Sequence, residues 1–171
     1  MKINHIGITV PDIGAAVRWY CETFDLTVLV EAHTASRETP GADRRRDVFG
    51  CRWGEMKLAH LTDGDGVGFE LFEFVEPAVV EIDDGFDYWN VGISHIALTV
   101  DDLEATIDRI VAGGGRARSE IHHVAGGVRI CYCSDPWSTT IELVTGTYAQ
   151  LVTRPAGHTG DRAGGDCHLV E

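Results

Sequence analysis

The segment His5-Ile6-Gly7-Ile8-Thr9-Val10 returns ninety positions later as His95-Ile96-Ala97-Leu98-Thr99-Val100. The match runs on, with Asp12, Ile13, Ala15 and Val17 aligning with Asp102, Leu103, Ala105 and Ile107 at the same offset. A repeat on this scale is read as one supersecondary unit used twice. Each copy also ends in an apolar run holding a single carboxylate, Gly68-Phe69-Glu70-Leu71-Phe72 in the first and Thr140-Ile141-Glu142-Leu143-Val144 in the second. One histidine and one glutamate therefore occupy equivalent places in both copies. The distance from His5 to Glu70 is 65 positions and from His95 to Glu142 is 47, so the first copy carries an 18-residue insertion, placed between about His33 and Val48.

Residues 3–10 alternate, with Ile6, Ile8 and Val10 on one face and His5, Gly7 and Thr9 on the other, the period of a half-buried strand. A helix is predicted next, with Asp12 as N-cap and Ile13, Ala16, Val17, Tyr20 and Phe24 forming one apolar stripe. The second copy repeats it with Leu103, Ile107 and Ile110, stopped by Gly113-Gly114-Gly115. β-branched and aromatic residues predict strands over 26–32, 50–62 and 67–75, then 116–124, 127–134 and 139–145. Each copy reads β-α-β-β-β, which makes the fold α+β. The boundaries read as a first module at 1–76, an acidic linker at 77–92, a second module at 93–150 and a flexible tail at 151–171. In the tail, His158, Cys167 and His168 are metal ligands by residue type only, because the segment lacks any hydrophobic period.

A chain of 171 residues, 44% hydrophobic, can bury one ordinary core or two small fused ones. No stretch approaches the ~20 apolar residues of a membrane span, and no apolar leader opens the chain; a cytoplasmic protein is expected. A formal charge of −13 argues against sequence-independent nucleic-acid binding, which needs Lys and Arg to neutralise phosphates. The five cysteines are an odd, scattered set suited to a reducing compartment. Cys131 and Cys133 read as two small buried hydrophobes of one strand face.

Strand parity puts His5, Glu70, His95 and Glu142 on faces opposite the apolar ones. A lone carboxylate on a strand facing away from water is costly, and a shared divalent cation explains four such groups at equivalent places. Two imidazoles and two carboxylates suit Zn, Mn, Fe, Co or Ni and leave positions for substrate. His60 and His123 are candidate substrate-binding or proton-shuttling groups, with His122 beside them, although a hydrogen-bonded surface histidine is the plainer reading of each. Arg44-Arg45-Arg46 in the insertion would suit an anionic substrate group or a solvated, salt-bridged loop.

The paired modules, opened by His5 and His95 and closed by Glu70 and Glu142, resemble the vicinal oxygen chelate superfamily of glyoxalase I, methylmalonyl-CoA epimerase, extradiol dioxygenases and bleomycin-resistance proteins. The resemblance covers roughly residues 3–146. Trp89-Asn90-Val91-Gly92-Ile93-Ser94-His95 and Arg129-Ile130-Cys131-Tyr132-Cys133-Ser134-Asp135-Pro136, followed by Ile141-Glu142-Leu143, are similar to the branch acting on 2-epi-5-epi-valiolone. It implies mixed sheets curving around a central metal cavity, with His5, Glu70, His95 and Glu142 on one ion. It also implies a homodimer and an epimerase or isomerase that shifts a proton beside the carbonyl of a small cyclic hydroxyketone. Glu142 is favoured as the base and Glu70 as a ligand with a possible second role. The alternatives are a glyoxalase I-like lyase, an extradiol dioxygenase, or a metal-free protein that sequesters an antibiotic.

Overall fold

The computed structural model describes residues 2–81 and 88–153. The candidate tail ligands His158, Cys167 and His168 and the centre of the linker lie outside the described residues. The first module runs β1 (His5–Thr9), α1 (Ile13–Phe24), β2 (Thr27–Ser36), α2 (Ala42–Phe49), β3 (Glu55–Thr62) and β4 (Gly68–Glu76). The second runs β5 (Ile96–Thr99), α3 (Leu103–Ala112), β6 (Arg116–Ala117), β7 (His122–His123), β8 (Arg129–Ser134) and β9 (Thr140–Val144), and α4 (Tyr148–Val152) follows. Sheet order is β1-β4-β3-β2 in the first module and β5-β9-β8-β6 in the second, where β7 also pairs with β8. In both, the first strand lies parallel to the last and the remaining pairings are antiparallel.

The sheets are open, which corrects the expectation that they curve around a central metal cavity. Each ends at unpaired edges: β1 and β2 in one sheet, β5 and the short β6 in the other. Closure needs a backbone ladder between edges. Here no such ladder joins β1 to β5, and two-residue strands finish the far side of the second sheet.

What unites the modules is a common apolar core. Ile8, Val10, Tyr20 and Leu71 of the first module and Leu103, Ile110, Ile141 and Leu143 of the second belong to one buried cluster, with both long helices packed in it. These are the apolar faces read from the strand and helix periods. The helix starts repeat as well: Asp12 accepts from Ala15 N at 2.9 Å, and Asp102 accepts from Ala105 N at 2.9 Å. Gly113 ends α3 where a Cβ would lie 2.6 Å from Trp19 Nε1, so only glycine lets the helices approach this closely. Tyr20 of α1 donates to the buried Asp135 across the modules at 2.8 Å. Burial pushes both groups above their ordinary values, and the hydrogen bonds to Asp135 only partly offset this for the carboxyl.

Three local expectations change. The strand read over 50–62 starts at Glu55, after a turn in which Gly50 holds φ 87°. The insertion folds a helix, α2, whose final Phe49 packs its ring against Trp53, Phe72 and Phe74. The strand read over 116–124 splits into β6 and β7, because Arg118 N and Ser119 N both reach Tyr132 O, two residues facing one. Among the described residues no helix is long and apolar enough to cross a membrane.

Candidate functional site

In the first module the β1–β4 register sets Gly7 opposite Glu70 and His5 opposite Gly68. His5 Nε2 comes 3.5 Å from Glu70 Oε2. Gly68 makes that approach possible, since a Cβ there would lie 2.9 Å from the His5 Cβ. Across the other flank of β4, His60 of β3 faces Glu70, with its Nδ1 3.5 Å from Glu70 Oε1. The His33 ring of β2 stacks on His60, with centroids 6.4 Å apart. Asn4 Oδ1 accepts from His5 Nδ1 at 2.7 Å.

The second module repeats the plan in tighter form. Ala97 lies opposite Glu142, and His95, one residue before β5, places Nε2 3.1 Å from Glu142 Oε2. Ser94 Oγ holds His95 Nδ1 at 3.0 Å. Tyr132 of β8 faces Glu142 across the strand pair and sets its ring edge-on to His95, with centroids 5.5 Å apart. Tyr88 from the linker stands against both His95 and Tyr132. Burial, then the neighbouring Tyr132 and the Glu142 carboxylate, push the Tyr88 phenol up to about 12. Tyr132 is raised in the same way, by burial first and Glu142 next. A cleft of about 420 Å³ between this segment and β1 is lined by Gly7, Thr9, Tyr88, His95 and Thr140.

Each pair has the chemistry of two ligands on one divalent ion. Nitrogen and oxygen donors about 2.0–2.2 Å from a metal, separated by a right or tetrahedral angle, stand roughly 3.0–3.5 Å apart. The observed Nε2···Oε separations, 3.5 and 3.1 Å, fall in that span. Both imidazoles are also oriented through Nδ1 by the residue just before them, an outer contact typical of metal-binding histidines. The two pairs stay separate in the single chain, one on each sheet. Among the described residues no group of three or more His, Cys, Asp or Glu side chains is placed to hold a metal ion. The physical reason is the open architecture: strand register gathers His5 and His60 around Glu70 in one sheet and His95 beside Glu142 in the other, and no register runs between the sheets.

The other candidates divide. His60 joins Glu70. His123 is exposed on β7 opposite Arg129, which pairs with Glu104 of α3, and the structure does not bring His123 to either His–Glu pair. His122 is likewise exposed opposite Ile130. Arg44, Arg45 and Arg46 ride on α2, where Arg45 donates to Pro40 O at 2.8 Å. Cys131 and Cys133 are buried with sulfurs 3.9 Å apart, and burial and then its neighbour push Cys133 up to about 12, so it stays a thiol.

Asn4, Ser94, Tyr88 and Tyr132 were not singled out from sequence. The signal for the first two was present, a polar residue directly before each duplicated histidine. Tyr132 needed the strand register, and Tyr88 the path of the linker over the second sheet.

Solved structures share the fold. A glyoxalase family protein from Bacillus cereus superposes with a TM-score of 0.69 at 20% identity, covering 84% of this chain and 93% of that one. Glyoxalase I from Zea mays gives 0.59 at 21% identity, covering 85% of this chain and 45% of that one. Among curated relatives, a probable lactoylglutathione lyase from Synechocystis sp. is 29% identical over 150 residues, 84% of this chain and 95% of the relative. A 2-epi-5-epi-valiolone epimerase from Actinomyces sp. is 25% identical over 149 residues, 84% of this chain and 79% of the relative. With its doubled βαβββ plan, and with residues 2–143 matching the family model, the chain belongs to the Glyoxalase/Bleomycin resistance protein/Dioxygenase superfamily.

Proposed function

We propose that this protein is a metal-dependent enzyme of the glyoxalase I type, which moves a proton between adjacent carbons of a small α-hydroxycarbonyl compound such as a thiol hemithioacetal. The observation that carries this reading is the duplicated His–Glu pair, with Nε2···Oε separations of 3.5 and 3.1 Å and Nδ1 held from behind in both copies. The relative named as a lactoylglutathione lyase, matched over 95% of its length, supports the lyase over the epimerase expected from sequence.

In this reading His5, Glu70, His95 and Glu142 hold one divalent ion, of Zn, Mn, Fe, Co or Ni. Because the pairs are separate in one chain, a homodimer that sets the first pair of one copy beside the second pair of the other completes the site. When bound, the ion supplies Lewis-acid stabilisation of the negative charge that builds on two neighbouring substrate oxygens. The residues do the rest. Glu142 takes the proton from the carbon beside the carbonyl and returns it to the next carbon, a role suited to a carboxylate shielded from competing water. Glu70 completes the ligand set and orients the second substrate oxygen, and His60 beside it donates to a substrate hydroxyl.

The epimerase remains the second reading, because the Actinomyces relative is matched over 79% of its length. It uses the same proton transfer on a cyclic polyhydroxy ketone and returns the proton to the opposite face. Purified protein should contain about one divalent ion per His–Glu quartet by elemental analysis. It should convert a glutathione–methylglyoxal hemithioacetal to thioester, followed by ultraviolet absorbance. Turnover of 2-epi-5-epi-valiolone alone, with deuterium entering from heavy water, would select the epimerase. Oxygen uptake with catechols would select a dioxygenase. Protein free of metal and inert toward all three substrates would sink the enzyme reading and leave a binding protein.

A further inference from the structure

The two glutamates repeat in position but face different partners across the sheet, His60 opposite Glu70 and Tyr132 opposite Glu142. We propose that Tyr132 is a positioning residue that fixes the Glu142 carboxylate and, together with Tyr88, the His95 ring, so that the second module is a preset half of the metal site.

The geometry has three parts. Tyr132 stands directly across from Glu142 in the β8–β9 register, and the Glu142 side chain is only 7% exposed, so its carboxylate has few polar partners besides His95 and the Tyr132 hydroxyl in a poorly hydrated place. Three rings box one another edge to face: His95 and Tyr132 at 5.5 Å and 86°, Tyr88 and His95 at 6.1 Å and 62°, Tyr88 and Tyr132 at 5.6 Å and 87°. His95 is also held at both nitrogens, by Ser94 at 3.0 Å and by Glu142 at 3.1 Å.

The first module lacks this frame. There Glu70, its side chain 27% exposed, meets His5 and His60 at 3.5 Å each, at the limit of hydrogen-bond reach. Glu142 is therefore the more closely enclosed of the two carboxylates before an ion arrives, and Glu70 the one with more freedom to adjust. The inference rests on the reading of His95 and Glu142 as a ligand pair, and concerns how they are held rather than which reaction follows.

The test uses the whole protein and its Tyr132→Phe variant, which keeps the ring and removes the hydroxyl. Cobalt(II) is titrated by visible absorption, and the histidine side-chain nitrogen resonances are recorded by NMR without metal. The expected result is a ten- to hundred-fold loss of cobalt affinity, the usual cost of removing an outer-shell partner. The His95 resonances should shift while those of His5 stay in place. A Tyr88→Phe variant should leave the cobalt affinity within about threefold, because Tyr88 acts through its ring. A lower melting temperature with unchanged cobalt affinity and unmoved His95 resonances would assign Tyr132 to packing and overturn the proposal. Wild-type protein that binds no cobalt, yet shows the His95 shift on Tyr132→Phe, would remove the metal reading and leave the positioning of Glu142 standing.

Discussion

The two halves of the site are built on one plan and finished differently. In the first module small residues, Gly7 and Gly68, stand opposite Glu70 and His5, and the carboxylate is open to water on one side. In the second, Ala97 stands opposite Glu142, Thr140 occupies the place of Gly68, and Tyr132 and Tyr88 close over the pair. The places of the histidines and glutamates are set by strand register, which duplication copies faithfully. Burial and rigidity are set by the neighbours, which it does not. A duplicated arrangement can thus keep two equivalent carboxylates and give them unequal freedom, one enclosed among aromatic rings and one partly open to water.

The sharpest way to break that comparison is at the glutamates. Glu142→Gln should lower α-proton exchange in deuterated water by about 10²–10⁴-fold, measured by NMR, while retaining part of the bound metal. Glu70→Gln should cost less exchange. The reverse ranking would exchange their roles.

A second test asks how far the halves depend on each other through the core. Tyr20→Phe removes the one hydroxyl of the first module that reaches the buried Asp135 of the second, and should lower stability by about 1–3 kcal/mol in urea melts. The pH dependence has a definite sign. Burial raises Asp135 above its ordinary 3.8, so the folded chain holds this proton more tightly than the unfolded one. The resulting stabilisation is fully present below about pH 3.8 and is lost as pH climbs through the raised folded value. Asp135→Asn should flatten that part of the pH–stability curve, and an unchanged curve would mean the carboxyl is not shifted.

Glycine substitutions sharpen the contrast between open and closed halves. Gly68→Ala places a Cβ 2.9 Å from the His5 Cβ and should cost about 1–3 kcal/mol by overpacking, with weaker metal binding by the first pair. Gly7→Ala only restores the residue found at Ala97, with a new contact of 3.3 Å to the Phe72 ring, and should be milder in both measurements. The smallest difference lies in the caps. Asp102→Ala should cost about 1 kcal/mol in thermal melts, and Asp12→Ala a few tenths less, because Glu73 separately accepts from Ile13 N at 2.9 Å. Equal losses would show that Glu73 does not share the work.

Much of this was legible before any coordinates. Asp12 and Asp102 cap their helices where a polar residue precedes an apolar stripe, and Ile8, Val10, Ile141 and Leu143 are buried on the faces their alternation assigned. Cys131 and Cys133 are the buried small residues that strand parity made them. The helix in the insertion escaped because its sequence, Ala-Asp-Arg-Arg-Arg-Asp-Val-Phe, carries no apolar stripe and buries none of its residues. The break between β6 and β7 escaped because a bulge is a property of two strands and cannot be read on one. His60 could be suspected from its chemistry; Tyr132 could not, because an aromatic residue in a strand is ordinary until its cross-strand partner is known to be a glutamate.

The sequence by itself determined which residues repeat, which face each shows and where the helices begin, because these are short-range consequences of period, cap and propensity. The tertiary structure alone decided that the sheets stay open, that the histidines and glutamates meet as two pairs, and that one pair is framed by tyrosines. Those outcomes depend on which strands find each other across tens of residues, and pairing at that distance is chosen by the packing of the whole chain.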